Sequence, residues 1–103
     1  MHSLVESQRE GIKNICHRFG IRKLEIFGSA ARVHDFDPAR SDIDFLVEFD
    51  STHEAPSLST FFDAQTKLGE LLGHPVNLAM AGAIRNPFVR ADIDRSRETV
   101  YAT

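Results

Sequence analysis

The sequence predicts an α+β (α/β) fold: a small mixed sheet of three to four strands with helices packed on one face. Two observations predict it. Three short runs read as strands, residues 24–27, 42–50 and 76–79, and the middle one alternates between apolar and mostly acidic side chains. Around them, three longer stretches repeat apolar residues at helical spacing, over about residues 4–19, 58–72 and 86–102.

Each element has its own signals. Ser3-Leu4-Val5-Glu6 reads as a capping box, followed by Leu4, Gln8, Ile12, Ile15, Cys16 and Phe19 on one helix face until Gly20 stops the run. Leu24-Glu25-Ile26-Phe27 is a strand that delivers Gly28 at its end. After a loop at residues 51–57, Leu58, Phe61, Phe62, Gln65, Leu68, Leu71 and Leu72 form a second helical face, with both phenylalanines expected in the core. Gly73 and Pro75 end that helix, and Val76-Asn77-Leu78-Ala79 is the third strand. Asn86-Pro87 is a cap followed by a first-turn proline. It opens a helix expected to run to about residue 102, with Phe88, Val89, Ile93, Val100 and Tyr101 as its apolar positions.

Composition narrows the functions. With 103 residues, the chain is expected to form one domain with one core. A hydrophobic share of 42% and a charged share of 26% are those of an ordinary globular protein, and no apolar run suggests a signal peptide or membrane span. The net charge of −3 argues against direct, charge-driven binding to nucleic acid, whose backbone demands clustered cations. A single Cys16 cannot close an internal disulfide, which fits a reducing cytoplasm, and it reads as a core thiol. The five histidines lie far apart and make no zinc-like spacing.

The chemistry concentrates in residues 28–49. Alternate side chains of a strand share a face, so Asp42 and Asp44 point the same way with their bases about 7 Å apart. Two carboxylates so placed repel, and a hard divalent cation shared with a substrate's phosphates is the natural charge between them. Upstream, Gly28 permits a tight turn and Ser29 opens what reads as a short helix over residues 29–33, whose free N–H groups would cradle phosphate. Arg32 shares a face with Ser29 and is read equally as a phosphate partner or a solvated arginine. Arg40 reads as solvated. Glu48, on the carboxylate face about 13 Å beyond Asp44, reads as a rim residue.

Gly28-Ser29, a polar loop and Asp42-Ile43-Asp44 resemble the signature of the DNA polymerase beta-like nucleotidyltransferases. The short chain and the context Ser41-Asp42-Ile43-Asp44-Phe45-Leu46-Val47-Glu48-Phe49 look like the minimal nucleotidyltransferase (MNT) proteins. The resemblance spans nearly the whole chain. It implies the polymerase beta-like fold, Asp42 and Asp44 as catalytic metal ligands for one or two Mg2+ ions, and Gly28, Ser29 and Arg32 as the nucleotide-binding residues for ATP or another NTP. It also implies a HEPN-domain toxin as partner, and an antitoxin that adenylylates a tyrosine of that toxin.

The sequence departs from the family pattern at two places. The loop of twelve residues between Ser29 and Asp42 is slightly long, and Val33 stands where a glycine often follows the arginine. Loops absorb such insertions at small cost. In addition, the third strand of the family usually brings a further aspartate, and here that position holds Asn77. An amide oxygen can touch a cation, but it carries no charge and cannot act as a base.

Two functions from different classes follow. One is transfer of a nucleoside monophosphate to a hydroxyl of the HEPN partner. The other is a catalytically impaired antitoxin that binds nucleotide or protein and neutralises its partner by contact. A small-molecule nucleotidyltransferase is disfavoured, because no second domain shapes an acceptor pocket.

Overall fold

The computed structural model describes residues 3–28, 42–50 and 57–103. Among these described residues, four helices and four strands follow one another in the order α1 (Ser3–Glu6), α2 (Arg9–Phe19), β1 (Ile21–Phe27), β2 (Ile43–Phe49), α3 (Leu58–Leu72), β3 (Val76–Met80), a 3₁₀ turn (Ala81–Ala83), α4 (Pro87–Ser96) and β4 (Glu98–Ala102). The strands make one mixed sheet in the order β3-β2-β1-β4. Antiparallel pairing joins β1 to β2 and to β4, while β2 and β3 run parallel with α3 as the crossover between them.

The core lies between the sheet and the pair α2 and α3. Leu24 and Ile26 of β1 and Ile43, Phe45 and Val47 of β2 are fully buried against Ile12, Cys16, Ala64 and Leu68 of the helices. Full burial of side chains of this size stabilises the fold by roughly 1.5–3 kcal/mol each. This leaves the opposite face to the other half of each strand. There Phe27 stands across from Asp44, Glu25 from Leu46 and Lys23 from Glu48. Ile93 and Ser96 of α4 are buried outside the main core cluster, so α4 covers part of that second face over β1.

The structure corrects four expectations. The first helix is broken into two pieces, because Gln8 takes φ −111° and ψ 17° and its N–H bonds three residues back, to Val5, in a tighter turn. The capping-box carboxylate Glu6 pairs with Arg9 at 3.3 Å. Strand β1 begins at Ile21, three residues earlier than read. Phe62 is half exposed and meets Phe61 edge-on at 5.4 Å, so Phe61 alone packs against the core.

The last correction is the largest. The helix that opens at Asn86 stops at Ser96, and residues 98–102 form β4. Arg97 is extended at ψ 139°, and its N–H closes the helix on the Ile93 carbonyl. Thr99, Val100 and Tyr101 are β-branched or aromatic, and β1 offers them an unpaired edge, so sheet pairing wins over helical continuation.

Candidate active site

The start of β2 presents both carboxylates on the face away from the core, as the alternation requires. Parallel pairing puts Asn77 of β3 beside Asp44, and its side-chain amide donates to Asp42 Oδ2 at 3.1 Å and to Asp44 Oδ1 at 3.2 Å. One polarised N–H₂ group thus sits between two carboxylates. Asp44 is half-buried, and burial above all, then the charge of Asp42, raises its pKa; the hydrogen bond from Asn77 works the other way.

Gly28 follows directly on β1, across the sheet from these residues. Its φ of 73° lies in the left-handed region, and a Cβ there would stand 3.0 Å from Asp44 Oδ2. Two separate constraints therefore select glycine: the backbone angle and the approach of the carboxylate. The Gly28 N–H donates to Ser96 Oγ at 3.1 Å. Ser96 is buried and its hydroxyl donates in turn to the Asp92 carbonyl at 3.2 Å or that of Ile93 at 3.4 Å, so α4 anchors the turn.

Of the residues singled out in the sequence, Gly28, Asp42, Asp44 and Asn77 come together. Ser29, Arg32, Arg40 and the short helix expected over residues 29–33 lie outside the described residues. Glu48 pairs with Arg22 at 3.4 Å, farther along the strand, as a rim residue would. Cys16 is fully buried with its thiol pushed up to about 12 by burial, which suits a core role. Sequence reasoning missed Ser96, a polar residue on the buried side of α4 whose partner is 68 positions away.

The donor set suits a hard cation. Among the described residues no group of three or more acidic, histidine or cysteine side chains gathers. The two carboxylates supply oxygen donors, and small divalent ions are commonly held by one or two carboxylates with the rest of the shell from phosphate and water. The Asn77 amide now occupies the space between them as a donor. Rotation about its last side-chain bond would turn its oxygen inward instead.

Comparison with known proteins agrees with this geometry. The nucleotidyltransferase domain family matches residues 9–100. A Methanocaldococcus jannaschii protein that bears the provisional name protein adenylyltransferase is 37% identical over 86 residues, covering 84% of this chain and 83% of the relative. The protein adenylyltransferase MntA of Thermococcus cleftensis is 35% identical over 89 residues, covering 86% and 82%. Among solved structures, the complex of tri-AMPylated Shewanella oneidensis HEPN toxin with its MNT antitoxin contains a chain of the same fold, with a TM-score of 0.66 at 14% identity over 96% of this chain and 73% of the other. The chain belongs to the nucleotidyltransferase domain family, on its minimal, MntA-like branch.

Proposed function

We propose that this protein is a nucleotidyltransferase-type antitoxin that transfers AMP from ATP to a hydroxyl, a tyrosine's, on a HEPN toxin partner. The observation that carries the reading is the pair Asp42 and Asp44, held on one strand face by Asn77 and closed on by the Gly28 turn, in a chain whose relatives are protein adenylyltransferases. The toxin partner rests on the AMPylated HEPN complex of a structural neighbour.

In this mechanism Asp42 and Asp44 would hold Mg2+ together with the triphosphate. When bound, the cation neutralises phosphate charge and withdraws electrons from phosphorus. Ser29 receives the outer phosphates on its backbone N–H at the Gly28 turn, which Ser96 anchors, and Arg32 adds a positive charge. The acceptor hydroxyl forms a bond to the α-phosphorus, the bond to the β-phosphate oxygen breaks, and pyrophosphate leaves. Asn77 has no basic atom, so the hydroxyl proton passes to solvent. Lack of general-base help costs on the order of a hundred- to ten-thousand-fold in rate. No helix among the described residues is long and apolar enough to cross a membrane. We place the protein in the reducing cytoplasm, where the buried Cys16 stays a thiol.

Asn77 favours a second reading, an antitoxin that neutralises its partner by contact, because the described site has two carboxylates bridged by an amide rather than three. One experiment separates the two. The protein is incubated with α-labelled ATP, Mg2+ and a HEPN partner, beside an Asp42→Ala, Asp44→Ala double variant. Label on the partner that disappears with the double variant establishes the transferase; neutralisation without label in both proteins establishes contact alone.

A further inference from the structure

On the face that carries Asp44, the next outward residue of β2 is Leu46, about 7 Å along at strand rise. Leu46 floors a cavity of about 170 Å³ between the sheet and the segment from the 3₁₀ turn through α4. Ile84 and Ile93 add apolar walls. The polar lining is balanced, with three cationic and three acidic side chains, so the cavity carries no net charge. This balance makes it unsuited to a phosphate.

Its distinctive member is Glu25. The residue is only 7% exposed, yet it stands on the outward face of β1 opposite Leu46. Lys23 and Arg97 lie 3.6 and 3.7 Å from its carboxylate oxygens, near enough to compensate the charge and too far for hydrogen bonds. The carboxylate therefore keeps acceptor capacity toward a ligand, in a cavity whose floor is apolar and whose rim carries guanidinium and ammonium donors.

We propose that this cavity is the nucleobase subsite, and that Glu25 selects bases bearing an exocyclic amine. The inference rests on the nucleotidyltransferase reading of Asp42 and Asp44 and adds the place and chemistry of base recognition. A flat, uncharged heterocycle matches the lining: its faces lie on Leu46, Ile84 and Ile93, its amine donates to Glu25, and its ring acceptors receive from Arg97. The two-residue step from Asp44 to Leu46 is the span a ribose bridges between an α-phosphate and its base. Adenine, guanine and cytosine present such an amine; uracil does not.

The test is calorimetric titration of the full chain with ATP, GTP, CTP and UTP in Mg2+, with inorganic tripolyphosphate as a probe of the phosphate site alone. The expected result has UTP weakest of the four, and the best NTP at least tenfold tighter than tripolyphosphate. Glu25→Gln will narrow the gap between UTP and the others. Ile84→Trp, at the partly exposed mouth and so tolerant of a large side chain, will fill the cavity and bring every NTP to the tripolyphosphate level. Both variants will leave tripolyphosphate affinity unchanged. If Ile84→Trp leaves the NTP affinities and their order as in the wild type, the base lies elsewhere and the subsite is refuted, while the nucleotide reading stands. If the wild type binds neither NTP nor tripolyphosphate, the nucleotidyltransferase reading falls, and the subsite with it.

Discussion

Asn77 donates its side-chain amide to Asp44 Oδ1 at 3.2 Å, while the same nitrogen reaches Asp42 Oδ2 at 3.1 Å. The amide only partly offsets the cost of keeping Asp44 ionised, because burial and the charge of Asp42 raise its pKa above the ordinary 3.8. The folded protein thus binds this proton more tightly than the unfolded chain. The resulting stability is present below the ordinary value and is lost as pH rises through the raised one. At neutral pH the ionised carboxylate is therefore a net cost to the fold. Asp44→Asn will melt higher than wild type at neutral pH in the presence of chelator, and the difference will vanish once the pH is taken below the ordinary carboxylate range. Equal melting temperatures at neutral pH would show that the carboxylate carries no such strain.

Gly28 makes a sharper case, because a control exists in the same chain. Gly20 has φ 69° with nothing within 4 Å of a built Cβ, whereas Gly28 has φ 73° with Asp44 Oδ2 at 3.0 Å. Alanine at either position costs about 1 kcal/mol of backbone strain. Only at Gly28 does the new methyl press on the carboxylate. Thermal melting will show a loss for both variants, the larger for Gly28→Ala, and NTP binding will fall at least several-fold for Gly28→Ala alone. Equal binding in both would mean that the close approach has no bearing on the site.

The hydroxyl of Ser96 acts at one remove, as a positioning residue. It accepts from the Gly28 N–H in a partly buried setting, so Ser96→Ala leaves that donor without its partner at a cost of about 1–3 kcal/mol. Since the Gly28 turn is proposed to present Ser29 to the triphosphate, the KM for ATP will rise more than kcat falls. Steady-state kinetics on wild type, Ser96→Ala and Ser96→Thr will read this split, with threonine restoring the hydroxyl and most of the KM. A drop in kcat alone would place Ser96 outside the positioning of phosphate.

What the sequence made legible was what depends on local period. The two-residue repeat of β2 put Asp42 and Asp44 on one face, and the spacing of Leu58 to Leu72 located α3 at its observed bounds. The rest depends on distant partners. Val100 and Tyr101 fall seven and eight residues after Ile93, which fits a helix as well as a strand; only pairing with β1, such as Thr99 across from Glu25, decides for β4. Nothing near Glu25 in sequence announces that Arg97 will stand beside it, or that α4 will bury it. Likewise Phe62 shares its helical spacing with Phe61, and packing alone separates the half-exposed ring from the partly buried one.

The last prediction concerns Asn77 itself. Replacing it with aspartate sets a third carboxylate next to Asp42 and Asp44, and removes the N–H₂ group that now bonds both. Without a cation, three like charges at this spacing repel, so Asn77→Asp will lower the melting temperature in chelator. With Mg2+ and ATP saturating, the balance reverses. The new carboxylate adds a metal-ligating oxygen and a base for the acceptor hydroxyl, a function worth on the order of a hundred- to ten-thousand-fold in rate. Label transfer from ATP to the partner will therefore rise, and Mg2+ will raise the variant's melting temperature more than the wild type's. The two measurements fail separately. A folded variant with an unchanged or lower transfer rate would show that the third carboxylate belongs elsewhere in the site, and a variant no less stable in chelator would show that Asn77 does not hold the two aspartates against each other.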